Sequence, residues 1–416
     1  MALSTFQSKH HYQCTNCDAT YDGQATMYLC PACETHNGKG LPQKGVLKTV
    51  YDYKSLRKRF TGFTTLKSRG FIDLLPIEQS NSLPKLRVGD TPLYSINKLN
   101  NCKLPFQILL KDDSQNPSFS FKDRASALVS AYAKEHEYHT LVTASTGNAG
   151  SSLAGICASQ HQKAIIIVPA SAPIAKLTQI LMYGARLVPV NGTYDDAFEL
   201  SVKATEMFGW YNRNTAFNPL TIEGKKTVSF ELFEQLQFTI PDRIFIPVGD
   251  GVILAGVYKG FEDLIALHLI DKMPVIVAIQ SEGSDNLIRN IGKEQFVVNP
   301  GHTLADSISV DLPRNFYMAQ QYLQKFGGES LSVNDDAILS ASSILAQNTG
   351  LFVEPAAAAA FAGLLAYHQS NKLPESSRNV VLLTGSGLKD LKSVQKLLTL
   401  PSPIDPTIDQ LQKILS

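Results

Sequence analysis

The sequence predicts an α/β protein built from parallel sheets with helices on both faces. Apolar runs of strand length alternate with amphipathic stretches of helical length along most of the 416 residues, and this alternation is typical of doubly wound sheets. Glycine-rich loops follow several of the apolar runs, as they do in folds that bind ligands at the carboxyl ends of their strands. The chain is too long for one simple core, so it is expected to form two or three structural units.

Seven apolar runs are predicted to be strands and four amphipathic stretches to be helices. The predicted strands are 107–111, 140–144, 164–169, 186–190, 243–248, 275–280 and 380–383. The predicted helices are 125–134, 176–184, 194–208 and 356–368. The last helix follows Pro355, a residue that is tolerated in the first turn of a helix.

Composition and charge narrow the classes of partner. The formal net charge is +1 at pH 7, which gives no electrostatic reason to expect a nucleic acid or an anionic membrane as partner. No apolar run approaches the roughly 20 residues that span a bilayer, and residues 1–12 lack the apolar core of a signal peptide. Six cysteines in a chain of this length do not indicate a disulfide scaffold, so a cytoplasmic location is expected.

Four of the cysteines are clustered near the N-terminus. They form two C-x2-C pairs separated by twelve residues, a spacing that suits four thiolates around one tetrahedral zinc ion. The predicted ligands are Cys14, Cys17, Cys30 and Cys33. Four protein ligands leave no open position, which indicates a structural metal, although iron or four incidental thiols also fit these residues. Cys102 and Cys157 are expected to be ordinary core thiols.

One lysine lies at a junction between a strand-like and a helix-like stretch. The segment N-P-S-F-S-F-K-D-R at residues 116–124 places Lys122 between an aromatic residue and a charged pair. A partly desolvated lysine is suited to forming a Schiff base with an aldehyde cofactor. Taken alone, these nine residues favour a solvated lysine in the first turn of a helix.

Three further loops each follow a predicted strand. The loop A-S-T-G-N-A-G at 144–150 carries small hydroxyls, glycines and an amide, which suit close approach of a carboxylate or a cofactor. The loop V-G-D-G-V at 248–252 could present backbone amides to a phosphate, and L-T-G-S-G-L-K-D at 383–390 adds two hydroxyls. Each could be a plain strand-to-helix turn, and the G-x-G pairs lack the third glycine of a dinucleotide fingerprint. Together with Lys122, the loops predict one ligand site.

Five motifs follow one another in a fixed order. They are N-P-x-x-S-F-K-D-R at 116–124, S-T-G-N at 145–148, E-G-K-K-T at 223–227, E-P-A at 354–356 and T-G-x-G-L-K-D at 384–390. The set resembles the threonine synthases, which belong to the fold type II pyridoxal-phosphate enzymes, and the resemblance covers most of the chain. It implies two doubly wound parallel-sheet domains with an N-terminal zinc-ribbon-like module.

The resemblance also implies domain boundaries and partners. Residues 1–45 would form the zinc-ribbon-like module, 46–124 and 225–400 the large domain that binds pyridoxal phosphate, 125–224 the small α/β domain, and 401–416 a C-terminal tail. The implied cofactors are pyridoxal 5′-phosphate and structural zinc. The implied partners are a small amino-acid substrate and a second copy of the chain in a homodimer.

The family resemblance assigns roles to the site residues. Lys122 would be the Schiff-base lysine and the acid–base group at Cα and Cβ of the substrate, and Phe121 would pack against the pyridine ring. Asn148 would bind the 3′-oxygen of the cofactor and Thr384 its ring nitrogen, and a neutral hydroxyl there suits β-elimination and replacement more than transamination. Ser145 and Thr146 would bind the substrate carboxylate. The cofactor phosphate would be bound by Gly249, Asp250, Gly251, Val252 and Ile253.

Two departures from the family pattern bear on the reaction. Asp250 places a carboxylate where the family usually carries asparagine, which costs phosphate affinity unless Asp250 turns away or a cation intervenes. Thr221 and Ala216 stand where arginine and serine are expected to hold the phosphate of O-phosphohomoserine. The loss of such a guanidinium contact is worth about 1.5–3 kcal/mol. The candidates to replace it are Arg213, Lys225 and Lys226.

Three functions follow from the resemblance and its departures. The first is a threonine synthase that converts O-phosphohomoserine and water to threonine and phosphate. The second is a serine/threonine ammonia-lyase, or another β-elimination or replacement enzyme, that acts on a non-phosphorylated amino acid. The third is a paralogue that binds pyridoxal phosphate without turnover.

Overall fold

The computed structural model describes residues 8–415 apart from residues 39, 61 and 173, and it contains two α/β units beside a small N-terminal sheet. The described strands are β1 (His10–Cys14), β2 (Thr20–Asp22), β3 (Leu47–Tyr51), β4 (Leu93–Leu99), β5 (Cys102–Asp112), β6 (Thr140–Ala144), β7 (Lys163–Pro169), β8 (Arg186–Val190), β9 (Tyr211–Asn212), β10 (Arg243–Pro247), β11 (Val275–Ser281), β12 (Glu329–Val333) and β13 (Arg378–Leu383).

Helices connect most of these strands. They are α1 (Pro31–Glu34), α2 (Tyr53–Arg59), α3 (Phe63–Ser68), α4 (Lys122–Glu135), α5 (Asn148–Ser159), α6 (Ile174–Met182), α7 (Tyr194–Phe208), α8 (Leu220–Lys225), α9 (Thr227–Gln235), α10 (Val252–Ala266), α11 (Asn286–Asn290), α12 (Phe316–Phe326), α13 (Asp335–Thr349), α14 (Pro355–Gln369), α15 (Leu391–Val394) and α16 (Ile408–Leu415). None of these helices is both long and apolar enough to cross a bilayer.

Two separate sheets form the α/β units. The larger sheet has the order β12-β11-β10-β13-β5-β4, and the smaller has the order β8-β7-β6-β9. All pairs are parallel except β4 with β5. The predicted α/β class with parallel sheets is therefore confirmed, with one antiparallel edge strand added to the larger sheet.

The seven predicted strands are all present in the two α/β units, which also contain β4, β9 and β12; β1, β2 and β3 of the N-terminal sheet are further strands that were not predicted. A two-residue hairpin turn, Asn100–Asn101, connects β4 to β5. The φ angles of these residues, +48° and +63°, suit a primed turn. The expectation that Cys102 is a core thiol was wrong, because Cys102 follows this turn at the sheet edge and is exposed. Cys157 is buried as expected.

The core of the larger unit is organised by α14, which is apolar on nearly every side. Its alanines 356–360 are buried, and the helix packs against β10, β11 and β13. A helix that is apolar all round is stable only when it is enclosed. Gly363 allows the close contact with the sheet, because a Cβ at this position would lie 2.4 Å from Ile279 Cδ1.

The N-terminal sheet contacts both α/β units. β1 pairs antiparallel with β2 and β3. The ring of Tyr28 stacks on Phe217 with centroids 4.6 Å apart, and its hydroxyl accepts a 2.9 Å bond from the Asn212 N–H. Gln321 donates to the carbonyl of Thr15 at 2.7 Å. The domain boundaries inferred above stay predictions, and residues 1–7 and 416 of the implied module and tail lie outside the described residues.

Candidate active site

One cavity of about 590 Å³ opens where the loops after β5, β6, β10 and β13 meet. This volume suits a cofactor with a small substrate. Its lining includes every residue to which the resemblance gave a cofactor or substrate role: Phe121, Lys122, Ser145, Thr146, Asn148, Gly249, Asp250, Gly251, Val252, Ile253 and Thr384. The structure thus brings these residues together, while their individual roles stay predictions.

Two backbone hydrogen bonds join the loop after β13 to the residues just before α4, the helix whose first residue is Lys122. The N–H of Phe121 donates to the carbonyl of Thr384 at 2.9 Å, and the N–H of Ser386 donates to the carbonyl of Phe119 at 3.1 Å. Phe121 is fully buried. These contacts fix Thr384 beside Lys122 at the floor of the cavity.

The amine of Lys122 lies in an environment that favours its neutral form. Burial lowers the pKa of Lys122, the nearby Arg213 guanidinium lowers it further, and Asp250 and Glu354 oppose the shift. A neutral amine is what a nucleophile toward an aldehyde requires. This lysine is therefore chemically suited to hold an aldehyde cofactor.

Glu354 is a cavity residue to which the sequence gave no role, although it lies in the E-P-A motif. Its carboxylate oxygens each accept a 3.0 Å bond from Asn148 Nδ2, and Ser307 Oγ donates at 3.2 Å. Gly385 makes room for this carboxylate, because a Cβ there would lie 2.5 Å from Glu354 Oε1. Burial raises the pKa of Glu354. The Asn148 amide that was expected to meet the cofactor is thus oriented by Glu354.

The start of α10 offers a place for a phosphate. Gly251 precedes the helix with a φ of +84°, and no side chain caps this end. The first N–H groups of a helix lack intrahelical acceptors and carry its positive dipole, so they bind anions. Asp250 lines the cavity here, with its carbonyl bound by the Asn315 N–H at 3.1 Å and its carboxylate by the Arg314 N–H at 3.3 Å. The residues present therefore fit a cofactor that carries a phosphate.

Lys226 forms ion pairs in a buried network and is not part of the cavity lining. Its ammonium group pairs with the carboxylates of Glu223 and Asp263, the latter at 2.7 Å, and all three side chains are buried. Tyr51 donates to Glu223 at 2.6 Å. Glu223, which the sequence left without a chemical role, thus ties α8 to α10. This excludes Lys226 as a cation for a substrate phosphate.

The positions where the family resemblance expected arginine and serine do not reach the cavity. Thr221 is fully buried and donates to the carbonyl of Asn218 at 2.7 Å, while Ala216 is buried and apolar. Neither lines the cavity. Arg213 lies behind the wall and donates to Thr215 Oγ1 at 2.9 Å, and Thr215 does line the cavity.

An ion pair that no sequence motif indicated bridges the two α/β units at the cavity. Arg314, from the loop before α12, pairs with Asp195 in the first turn of α7. The Arg314 guanidinium lies 4.0 Å from the ring centroid of Phe198. Both charged residues line the cavity. No motif marks them, because their meeting depends on how the two units pack.

The four N-terminal cysteines lie around one point. Their sulfur atoms are all within 4.8 Å of one another, with Cys14 and Cys33 Sγ atoms 3.7 Å apart and those of Cys17 and Cys30 3.6 Å apart. Bonds of 2.3 Å to a tetrahedral zinc ion would separate sulfurs by about 3.8 Å. The donor set and its spacing therefore fit zinc.

Comparison with known proteins establishes the family. Residues 85–385 match the family described as pyridoxal-phosphate dependent enzyme. The threonine synthase of Methanocaldococcus jannaschii is 30% identical over 411 residues, covering 97% of this chain and 98% of the relative. The threonine synthase of Methanosarcina acetivorans is 31% identical over 415 residues, covering 98% of each chain. The chain belongs to the pyridoxal-phosphate dependent enzymes and, among them, to the threonine synthase-like lyases.

Solved structures support the fold. Threonine deaminase isoform 2 of Solanum lycopersicum aligns with a TM-score of 0.65 at 24% identity, over 77% of this chain and 90% of that one. The L-serine ammonia-lyase of Rhizomucor miehei aligns with a TM-score of 0.63 at 20% identity, over 74% and 97%. These likenesses confirm the fold type II architecture.

Proposed function

We propose that this protein converts O-phosphohomoserine and water to threonine and phosphate. The observation that carries the proposal is its similarity to threonine synthases over 97–98% of both chains. Pyridoxal phosphate, when bound, supplies an electron sink that makes protons near the substrate amino group removable. The cavity around Lys122 would hold it beside the amino acid.

The residues of this chain divide the remaining work. Lys122 would hold the cofactor and carry protons to and from Cα and Cβ of the substrate. The substrate carboxylate would bind at Ser145 and Thr146, next to the start of α5, where helix amides favour an anion. Thr384, fixed by the Phe121 N–H, would orient the cofactor ring.

A second candidate is an ammonia-lyase that acts on serine or threonine. Its support is the absence of an arginine at Thr221 and the buried, non-lining positions of Thr221 and Ala216. A substrate without a phosphate would need no cation at these positions. The two candidates share the same cofactor and the same lysine, so only their products distinguish them.

Product analysis tests the proposal. The cofactor-loaded protein should release inorganic phosphate and threonine in equal amounts from O-phosphohomoserine. We expect kcat/KM for this substrate to exceed that for deamination of serine or threonine by at least about 10²-fold, because only the synthase site recognises a distal phosphate. Formation of a 2-oxo acid from serine or threonine, without phosphate release from O-phosphohomoserine, would instead establish the lyase.

We also propose that the cysteine cluster holds one structural zinc ion. The buried apolar side chains of the N-terminal sheet, such as Tyr12 and Leu47, belong to a cluster shared with α4 and α5. Because this sheet has little core of its own, the metal would supply much of its folding free energy. Purified protein should contain about one zinc ion per chain. Replacing Cys14 with serine should reduce the metal content and the thermal stability, whereas the same change at the exposed Cys102 should change neither. Four freely titratable thiols in a metal-free, equally stable protein would contradict this proposal.

The homodimer and the cytoplasmic location stay predictions that belong to the proposed function. Both are typical of enzymes of amino-acid biosynthesis that resemble this chain. Sedimentation of the purified protein would test the homodimer directly.

A further inference from the structure

The ammonium group of Lys225 is fully buried and has no hydrogen-bond partner among the residues that the structure describes. Other buried lysines differ from it. Lys226 and Lys259 pair with Asp263, and Lys111 pairs with Glu231. A buried cation without a partner is costly, and such groups are normally paired or bind a ligand. Lys225 therefore calls for an anion that is not part of the chain.

Lys225 packs against α10 about one turn beyond the start of that helix, behind the cavity lining and not as part of it. It is the last residue of α8, and its stem crosses α10 at Gly256, where a Cβ would lie 2.7 Å from Lys225 Cβ. Burial lowers the pKa of Lys225, Arg213 and Lys122 lower it further, and Asp250 opposes the shift. The charged groups that act on Lys225 thus all belong to the cavity or its wall.

A phosphate bound at the start of α10 would need a nearby cation, because Asp250 is also negatively charged. A phosphate dianion bound at the start of α10 would lie beside Asp250, which repels it. Arg314 already pairs with Asp195. Arg213 is satisfied by hydroxyl groups and a carbonyl, including Thr215 Oγ1 at 2.9 Å. Lys225 is the cation in this group whose hydrogen-bonding capacity is wholly unused.

We propose that Lys225 binds the 5′-phosphate of pyridoxal phosphate and offsets the negative charge of Asp250 at the start of α10. The inference rests on the cofactor site of the proposed function and adds a residue to it. It explains how this chain keeps a carboxylate at a position that faces a dianion. The phosphate of O-phosphohomoserine is the other phosphoryl group that could reach Lys225, and the experiment separates the two.

The test compares cofactor affinity with and without the phosphate. Metal-replete, cofactor-free protein is titrated with pyridoxal phosphate and with pyridoxal, following the change in absorbance. Lys225→Met should weaken pyridoxal phosphate binding by about 10- to 100-fold and leave pyridoxal binding unchanged, because only the phosphate contact is lost. Lys203→Met, at an exposed position on α7, is the matched control and should change neither. Lys225→Gln serves as a second variant that retains polarity.

Two further readouts distinguish this role from a structural one. Without cofactor, Lys225→Met should be at least as thermally stable as the original protein, because it removes a buried amine that has no hydrogen-bond partner among the described residues. Asp250→Asn in the Lys225→Met background should restore most of the lost cofactor affinity, since it removes the charge that Lys225 offsets. A loss of stability that accounts for weaker binding of both ligands would overturn the inference.

The remaining outcomes are also decisive. Unchanged affinity for pyridoxal phosphate in both Lys225 variants would overturn the inference. If these variants instead raised KM for O-phosphohomoserine and weakened competition by inorganic phosphate, Lys225 would serve the substrate and the cofactor assignment would be wrong. If the original protein turned over no O-phosphohomoserine but the Lys225 variants still lost cofactor affinity, the proposed function would fail and this inference would stand.

Discussion

Replacing Lys122 with alanine is expected to reduce turnover of O-phosphohomoserine by at least about 10³-fold, because one amine is proposed both to hold the cofactor and to transfer protons. The variant should also lose the visible absorbance of covalently bound cofactor. Lys134→Ala is a matched control, since Lys134 lies exposed on the same helix α4 and is not part of the lining of the Lys122 cavity. Steady-state kinetics and an absorbance spectrum of each protein measure both effects.

Near-normal turnover by Lys122→Ala would show that another amine carries the chemistry. The fold of this variant is expected to survive, because a cavity-lining side chain is removed and no buried partner is left behind. A circular dichroism melt close to that of the original protein would confirm that any loss of turnover is chemical.

Replacing Glu231 with glutamine is expected to destabilise the protein by about 3–5 kcal/mol at pH 7, because it breaks a buried ion network. Glu231 accepts bonds from Arg124 Nη1 at 2.5 Å and from Lys111 Nζ at 2.6 Å, and Arg124 also pairs with Asp113. This network holds the start of α4 two residues from Lys122. Denaturant unfolding measures the loss. Glu234→Gln, in the more exposed pair with Lys67, is the control and should cost less than about 1 kcal/mol.

The cost of Glu231→Gln should depend on pH in a defined direction. Burial opposes ionisation of Glu231, but Arg124 and Lys111 outweigh it and lower the pKa of this carboxyl from 4.5 to about 2. A depressed pKa stabilises the fold above the unfolded value, and this contribution is lost as the pH falls toward the folded value. The difference of 4.5 minus about 2 corresponds to about 3 kcal/mol. The difference in unfolding free energy between the original protein and Glu231→Gln should therefore be full above pH 4.5 and vanish near pH 2. A difference that is independent of pH would contradict this origin.

Local patterns were sufficient to locate the cavity from the sequence. Lys122, the loop at Ser145 and the glycines around Asp250 each belong to a segment that follows a strand, so the parallel sheets bring them together. The spacing of the two C-x2-C pairs was likewise sufficient to predict that the four thiols cluster. These features could be predicted because each depends on a few neighbouring residues and on a general property of the fold.

Features that depend on packing could not be predicted. The sequence does not show that Lys225 lacks a partner among the described residues while the adjacent Lys226 has two carboxylates, because the difference arises from where each lysine meets α10. Lys225 packs against Gly256, whereas Lys226 reaches Asp263 further along the helix. The pairing of Arg314 with Asp195 joins two units far apart in the chain. β4 could not be recognised because Ser95, Asn97 and Lys98 interrupt its apolar residues at an edge of the sheet where four of its seven residues are exposed.

The site of covalent cofactor attachment is the most direct test of the proposed role of Lys122. Holoprotein is reduced with borohydride, digested and analysed by peptide mass spectrometry. We expect a pyridoxyl-phosphate group on the peptide that contains Lys122, and none on peptides that contain Lys225 or Lys389, two other lysines near the cavity. A modified Lys225 or Lys389, or holoprotein without any modified lysine, would contradict this role.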